Sequence, residues 1–171
     1  MGMHHNEPPT HFGGWPRYFI EWHTMLPTAH MIEVSNMVFN GVFDKFPDLH
    51  LIMIEGGFTH VPHLMKKMDQ QYKELRHEIP WVKRMPSRII QDHVRFTTQP
   101  VEELDQREFM QYVDQMGSEN MICFATDYPH WDYDSPLEAL PKLDAALEEK
   151  IYSENARAAL PKLPKRTGGV E

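Results

Sequence analysis

A short apolar run, Met121-Ile122-Cys123-Phe124-Ala125, stops at Thr126-Asp127, and Tyr128-Pro129-His130-Trp131-Asp132 follows at once. A lone carboxylate is costly to bury, so an acid at the tip of a buried strand needs a partner. A divalent metal is one natural partner, and a carboxylate beside such a metal can also carry the proton of its water. The pattern points to metal-assisted chemistry with Asp127 as ligand or proton carrier. The plain structural alternative is an Asp capping the turn made by Tyr128-Pro129. Arg95 is the other charge in an unexpected place, inside the run His93-Val94-Arg95-Phe96-Thr97-Thr98. It either grips a substrate carboxylate with its two-pronged guanidinium or pairs internally with an acid. Cys123, within an apolar run, reads as a small buried hydrophobe rather than a nucleophile.

Strands must position these groups. The runs 49–54, 93–98 and 121–125 read as strands, and their ends carry Glu55-Gly56-Gly57, Gln99-Pro100 and Asp127. Helical spacing fills the intervals. One helix is expected to start near Pro16, a first-turn residue, and another near Pro27, with Met31, Val34 and Val38 in step. Further helices are expected over 61–78, in a short piece between Pro80 and Gln91, and over 102–116, 135–147 and 153–160, the last with Ser153 as N-cap. Residues up to Trp15 are turn-rich, and 161–171, with Pro, Lys and Gly, reads as a flexible tail beyond a single domain over 1–160. Strands alternating with helices imply an α/β fold with a parallel sheet. Polar strand ends all pointing one way are barrel-like. Neither nucleotide-binding glycine fingerprint is present.

Composition narrows the function classes. At 171 residues the chain fits one domain. A net charge of −8 with no basic stripe argues against nucleic acid as a partner. No apolar stretch approaches the ~20 residues that span a bilayer. Met1-Gly2-Met3-His4-His5 lacks the basic and apolar regions of a signal peptide. The single cysteine suits a reducing compartment. A cytoplasmic protein acting on a small molecule is the expectation.

Four stretches resemble the amidohydrolase superfamily, in particular the amidohydrolase-2 group related to aminocarboxymuconate-semialdehyde decarboxylase. They are Gly41-Val42-Phe43-Asp44-Lys45-Phe46-Pro47-Asp48-Leu49, then Ile54-Glu55-Gly56-Gly57 with Pro62 and Asp69, then Thr126-Asp127-Tyr128-Pro129-His130-Trp131-Asp132, and Ile151-Tyr152-Ser153-Glu154-Asn155-Ala156-Arg157. In order, they match the second half of the family's chain. The resemblance implies strands five to eight of a TIM-like (β/α)8 metal-dependent hydrolase barrel.

The resemblance also implies roles. Asp127 would be the last-strand aspartate that binds the metal or its water and moves a proton. His4, beside His5, would be the fifth-strand metal ligand. Glu55 stands where several relatives carry a catalytic histidine, and it would orient water or accept its proton. Otherwise it accepts N–H groups of its glycine turn. His60 could supply the missing imidazole, although a solvated helix-start residue is the simpler reading. His130 and Trp131 would line the pocket mouth, with His11, Trp15, Trp22 and His23 from the preceding loop and helix. A Trp near Gly13-Gly14 would cover an aromatic or acidic substrate. His30, His50, His63, His77 and His93 read as structural.

One divalent metal is implied, Zn²⁺ first and Mn²⁺ second. The implied reaction is hydrolysis of a C–N or C–O bond, or non-oxidative decarboxylation of a small carboxylic acid. The alternative is a catalytically incomplete half-barrel, a fragment or split subunit, with open sheet edges. Homo-oligomerisation or association with an N-terminal half-barrel is then expected.

Overall fold

Apolar Val94 and Phe96 alternate with polar Arg95 and Thr97 along the middle strand run, which gives the sheet two different faces. The computed structural model describes residues 15–163. Strands β1 (Leu51–Met53), β2 (Val94–Thr97) and β3 (Ile122–Cys123) form one parallel sheet in the order β1-β2-β3. Met53 pairs with Phe96, and Phe96 with Ile122. Side chains alternate across a strand. Val94, Phe96, Met53 and Ile122 therefore enter the main core, while Arg95, Thr97 and Cys123 share the opposite face. The expected strand around His4 lies outside the described residues.

Eight α-helices surround the sheet among the described residues: α1 (Phe19–Thr24), α2 (Leu26–Phe39), α3 (Val42–Lys45), α4 (Val61–Leu75), α5 (Pro86–His93), α6 (Gln106–Met116), α7 (Ala145–Glu149) and α8 (Asn155–Ala159). Their apolar stripes close the core. Val34 and Val38 come from α2, Leu64 and Met68 from α4, Ile89 and Ile90 from α5, and Phe109, Val113 and Met116 from α6. Full burial of a side chain this size stabilises by about 1.5–3 kcal/mol. The sheet is thus fixed from the helix side. No helix among the described residues is long and apolar enough to cross a membrane.

Element boundaries move where local hydrogen bonds win over periodicity. Helix α6 starts at Gln106, not at 102, because Asp105 and Glu108 form a reciprocal capping box: Glu108 N–H donates to Asp105 Oδ1 at 2.8 Å and Asp105 N–H to Glu108 Oε2 at 3.0 Å. The expected 135–147 helix does not form. Ser135 to Leu143 runs as turns and extended chain, interrupted by Pro136 and Pro141. Helix α7 begins only where the Asp144 carboxylate accepts the N–H groups of Ala146 and Leu147. Ser153 caps nothing. It lies in a π-helical turn, Lys150–Glu154, that joins α7 to α8. Strand β3 is short because the Phe124 N–H turns away to donate to the Ile151 carbonyl at 2.8 Å.

Asn155 fastens this last helical segment to the sheet. Its amide donates to the carbonyls of Glu119 and Ile122, both at 2.8 Å, and the residue is buried. Asn155→Ala should lose about 2–3 kcal/mol in urea unfolding, since it leaves buried carbonyls without donors. A loss under about 0.5 kcal/mol, the range of ordinary surface changes, would contradict this anchoring role.

Candidate functional site

Parallel pairing sends the C-terminal ends of all three strands to the same edge, and two acids emerge there. Glu55 follows β1 with φ 66°, and Asp127 follows β3 with φ 55°. They are the two non-glycine residues with positive φ among those described. That conformation crowds Cβ against backbone and costs an L-residue about 1–2 kcal/mol. Such strain gathers at functional sites, where surrounding structure holds it in place.

The local bonds show what holds each acid. The Glu55 N–H donates to Thr97 Oγ1 at 3.3 Å, and the Gly57 N–H to the Gln99 carbonyl at 3.3 Å. The turn after Asp127 closes on itself: the His130 N–H donates to the Asp127 carbonyl at 2.9 Å, and the His130 Nδ1 meets Asp127 Oδ2 at 2.6 Å. Gln99–Pro100 and Tyr128–Pro129 are cis at this edge.

One ligand atom each from Glu55, Asp127 and His130 lies within 4.8 Å of the other two. Two carboxylate oxygens and an imidazole nitrogen are a donor set that suits Zn²⁺ or Mn²⁺, so these residues fit a divalent ion. The hydrogen bond to Asp127, followed by that carboxylate's charge, holds the His130 imidazole above its usual pKa. A cation taking its nitrogen must displace that proton, which makes binding pH-dependent.

A second layer ties the neighbouring loops together. The His23 Nε2 meets Asp132 Oδ2 at 3.1 Å. The buried Gln99 Nε2 donates to the backbone and carboxylate oxygens of Asp132, both at 3.3 Å. Asp134 Oδ2 accepts the Val101 N–H at 3.0 Å, and the Asp134 N–H reaches the Thr126 carbonyl at 2.9 Å. Burial raises the Asp134 carboxyl above the usual range, against the opposing Val101 hydrogen bond.

Together these loops frame a cleft of about 190 Å³, in which Phe19, Trp22, Leu26 and Trp131 face Glu55, Asp127 and His130. The rings touch one another, with centroids of Phe19 and Trp131 at 6.3 Å and of His23 and Trp131 at 5.5 Å. This is an aromatic wall opposite an acid–imidazole cluster.

The amidohydrolase family Amidohydro_2 matches residues 11–162. The chain belongs to this amidohydrolase family. Its members depend on a metal.

Solved structures share the fold. An amidohydrolase from Mycobacterium avium subsp. paratuberculosis aligns with a TM-score of 0.67 at 19% identity, covering 84% of this chain and 36% of that one. The 5-carboxyvanillate decarboxylase of Sphingomonas paucimobilis aligns at 0.62 and 17% identity, covering 79% and 40%. A dihydroxybenzoic acid decarboxylase from Polaromonas sp. JS666, with manganese and the inhibitor 2-nitroresorcinol bound, aligns at 0.58 and 19% identity, also covering 79% and 40%. The chain spans less than half the length of these structures. No curated protein matches it by sequence.

Within this amidohydrolase edge the expected residues fall into groups. Glu55, Asp127, His130 and Trp131 come together, with Trp22 and His23 beside them. His4 and His11 lie outside the described residues. Trp15 is 73% exposed and is not part of the cleft wall. Arg95 sits at the opposite end of the sheet. Its Nη1 donates to the carbonyls of Gln91 at 3.1 Å and Val94 at 3.0 Å, at the junction of α5 with β2. The substrate-gripping role expected of it has no support in this placement, because strand direction separates it from the acids. Cys123 is buried, and burial pushes its thiol up to about 11.

His93 is structural as expected, stacked on Phe43 at 4.8 Å with Nδ1 on the Leu49 carbonyl. His30 belongs to the site end instead. Leu26, His30, Val34 and Val38 recur every four residues, and all are buried on α2. That spacing was the available signal. His60 is not solvated. Its ring packs 5.7 Å from His30 with both nitrogens buried and unpartnered among the described residues. Phe19 carried no signal in the sequence, Gln99 only its place at a strand end, and Asp132 only its place in the motif that follows Asp127.

The strain argument makes a contrast measurable. Glu55→Gly should exceed Glu55→Ala in unfolding free energy by about 1 kcal/mol, because glycine alone adopts φ 66° freely. An equal or lower value for the glycine variant would remove the claim of strain.

Burial, followed by His30's charge, lowers the His60 pKa from 6.5 to about 4. Below 6.5 the unfolded chain therefore binds a proton that the fold refuses. Stability is full above 6.5 and falls as pH drops toward about 4. Urea midpoints measured across that window should decline less steeply in His60→Leu than in the parent chain. Parallel declines would exclude His60 as a source.

Proposed function

We propose that this chain carries the C-terminal, metal-binding part of an amidohydrolase-type enzyme that acts on a small carboxylic acid or its derivative. The observation that carries the reading is the cluster of Glu55, Asp127 and His130, drawn from two strand ends and set opposite an aromatic wall. Glu55, Asp127 and His130 would hold the metal, joined by His4 of the preceding segment. Bound there, a divalent ion supplies Lewis acidity and a water acidic enough to act near neutral pH.

The chain's own groups do the rest. Asp127 and His130 share a short hydrogen bond in the metal-free chain, and with the imidazole given to the ion Asp127 would be the proton carrier. Glu55 aims a second carboxylate at the same point. Phe19, Trp22 and Trp131 exclude water and offer faces to a planar, ring-bearing substrate. Hydrolysis of a C–N or C–O bond and loss of CO₂ both suit this arrangement. Two of the structural relatives are named as decarboxylases, one of them with manganese bound.

A second reading concerns completeness. β1 and β3 each pair with β2 alone among the described residues, and unpaired edges favour association with another chain. The chain then acts as strands five to eight of a (β/α)8 barrel. It is completed by an N-terminal half or by a second copy.

Metal analysis of the purified chain, alone and with an N-terminal half-barrel, should show about one Mn²⁺ or Zn²⁺ per complex. Turnover of aromatic carboxylic acids and lactones should fall by roughly 10²–10⁴ in Asp127→Asn, the usual contribution of a positioned proton carrier. Undiminished turnover in that variant would overturn the assignment.

A further inference from the structure

We infer that His30 is the positioning residue that holds Glu55 in its left-handed conformation, gripping the chain on both sides of it. The inference rests on the proposed role of Glu55 only for its functional meaning. The geometry stands by itself.

On one side of Glu55, the His30 Nε2 donates to the Ile54 carbonyl at 3.0 Å. A carbonyl only accepts, so Nε2 carries a proton, and burial lowers the ring's pKa and favours its neutral form. On the other side, the ring lies where a Gly56 side chain would be. A Cβ built on Gly56 would stand 2.3 Å from His30 Cε1, 2.5 Å from Nδ1 and 2.9 Å from Nε2. Residue 56 must therefore be glycine for as long as residue 30 is histidine. His30 is itself buried, 1% exposed, on the core stripe of α2, and the His60 ring lies 5.7 Å away. Burial there leaves the ring little room to move. With Ile54 pinned by a hydrogen bond and Gly56 pressed against the ring, Glu55 is left to turn outward at φ 66°.

The other bonds to this turn come from β2 and its end, through Thr97 Oγ1 and the Gln99 carbonyl. His30 is the contact from the helix side. Outer residues that orient a metal ligand typically matter 10–100-fold for affinity.

The test uses the full chain labelled with ¹⁵N and ¹³C. The Glu55 backbone φ is read from its HN–Hα coupling and its intraresidue NOE. Mn²⁺ affinity is read by electron paramagnetic resonance. In His30→Ala, Glu55 should leave the left-handed region and Mn²⁺ affinity should fall at least 10-fold. His30→Gln, which retains an N–H donor, should recover most of both signals. Gly56→Ala should reproduce the His30→Ala defect. The double variant His30→Ala with Gly56→Ala should be less defective than the two single effects combined, because the methyl then has room.

Retention of the left-handed Glu55 in both His30→Ala and Gly56→Ala would overturn the inference, whatever the metal does. Release of Glu55 in those variants, together with unchanged Mn²⁺ binding in Glu55→Gln, would uphold the positioning role and sink the metal role of Glu55 instead.

Discussion

Parallel strand pairing is the constraint on which the site depends. Three short strands run the same way, so whatever follows each one is delivered to a single edge. Glu55 and Asp127 are 72 positions apart in the chain, yet they meet because β1 and β3 both pair with β2 in register. On one face the pairing is held by the side chains of the core, Phe96 and Ile122 foremost. The other face carries Arg95, Thr97 and Cys123, which in a closed barrel would face the interior.

The edge combines two kinds of order. The carboxylates occupy strained backbone, and a set of ordinary hydrogen bonds holds that strain. Thr97, Gln99, His30 and the Asp127 turn each contribute one fixed contact. Asp132 and Asp134 tie the Asp127 loop back to the loop after β2. The cleft is therefore preorganised by backbone geometry more than by packing. This would suit the proposed metal site, which must keep like charges close together until a cation joins them.

Much of the fold was readable from residue order. The three strands were visible because each is a short apolar run punctuated by Gly, Pro or an acid, and helices α2, α4 and α6 were visible from their periodicity. Their boundaries were less so. Asp105, Asp144 and the π turn at Lys150–Glu154 decide where helices begin, and each acts through particular hydrogen bonds that periodicity does not register. Of the site, Asp127, Glu55, His130 and Trp131 could be read from position at strand ends. Arg95 could not be placed, because a sequence shows that a charge lies within a strand but not which carbonyls its side chain reaches.

By itself, the sequence determined the family, the alternation of strand and helix, and the two acids at strand tips. These are local or ordered properties, carried by composition and spacing along one line. Only the tertiary structure decided that Glu55 and Asp127 share left-handed backbone, that His130 closes on Asp127, and that His30 lies beneath the turn that presents Glu55. The contact of His30 with the Glu55 turn joins residues far apart in the chain, and the closure of His130 on Asp127 follows from the backbone of their turn. The close approach of a histidine ring to a glycine is set by the packing of α2 against the sheet, and by no pattern in either segment alone.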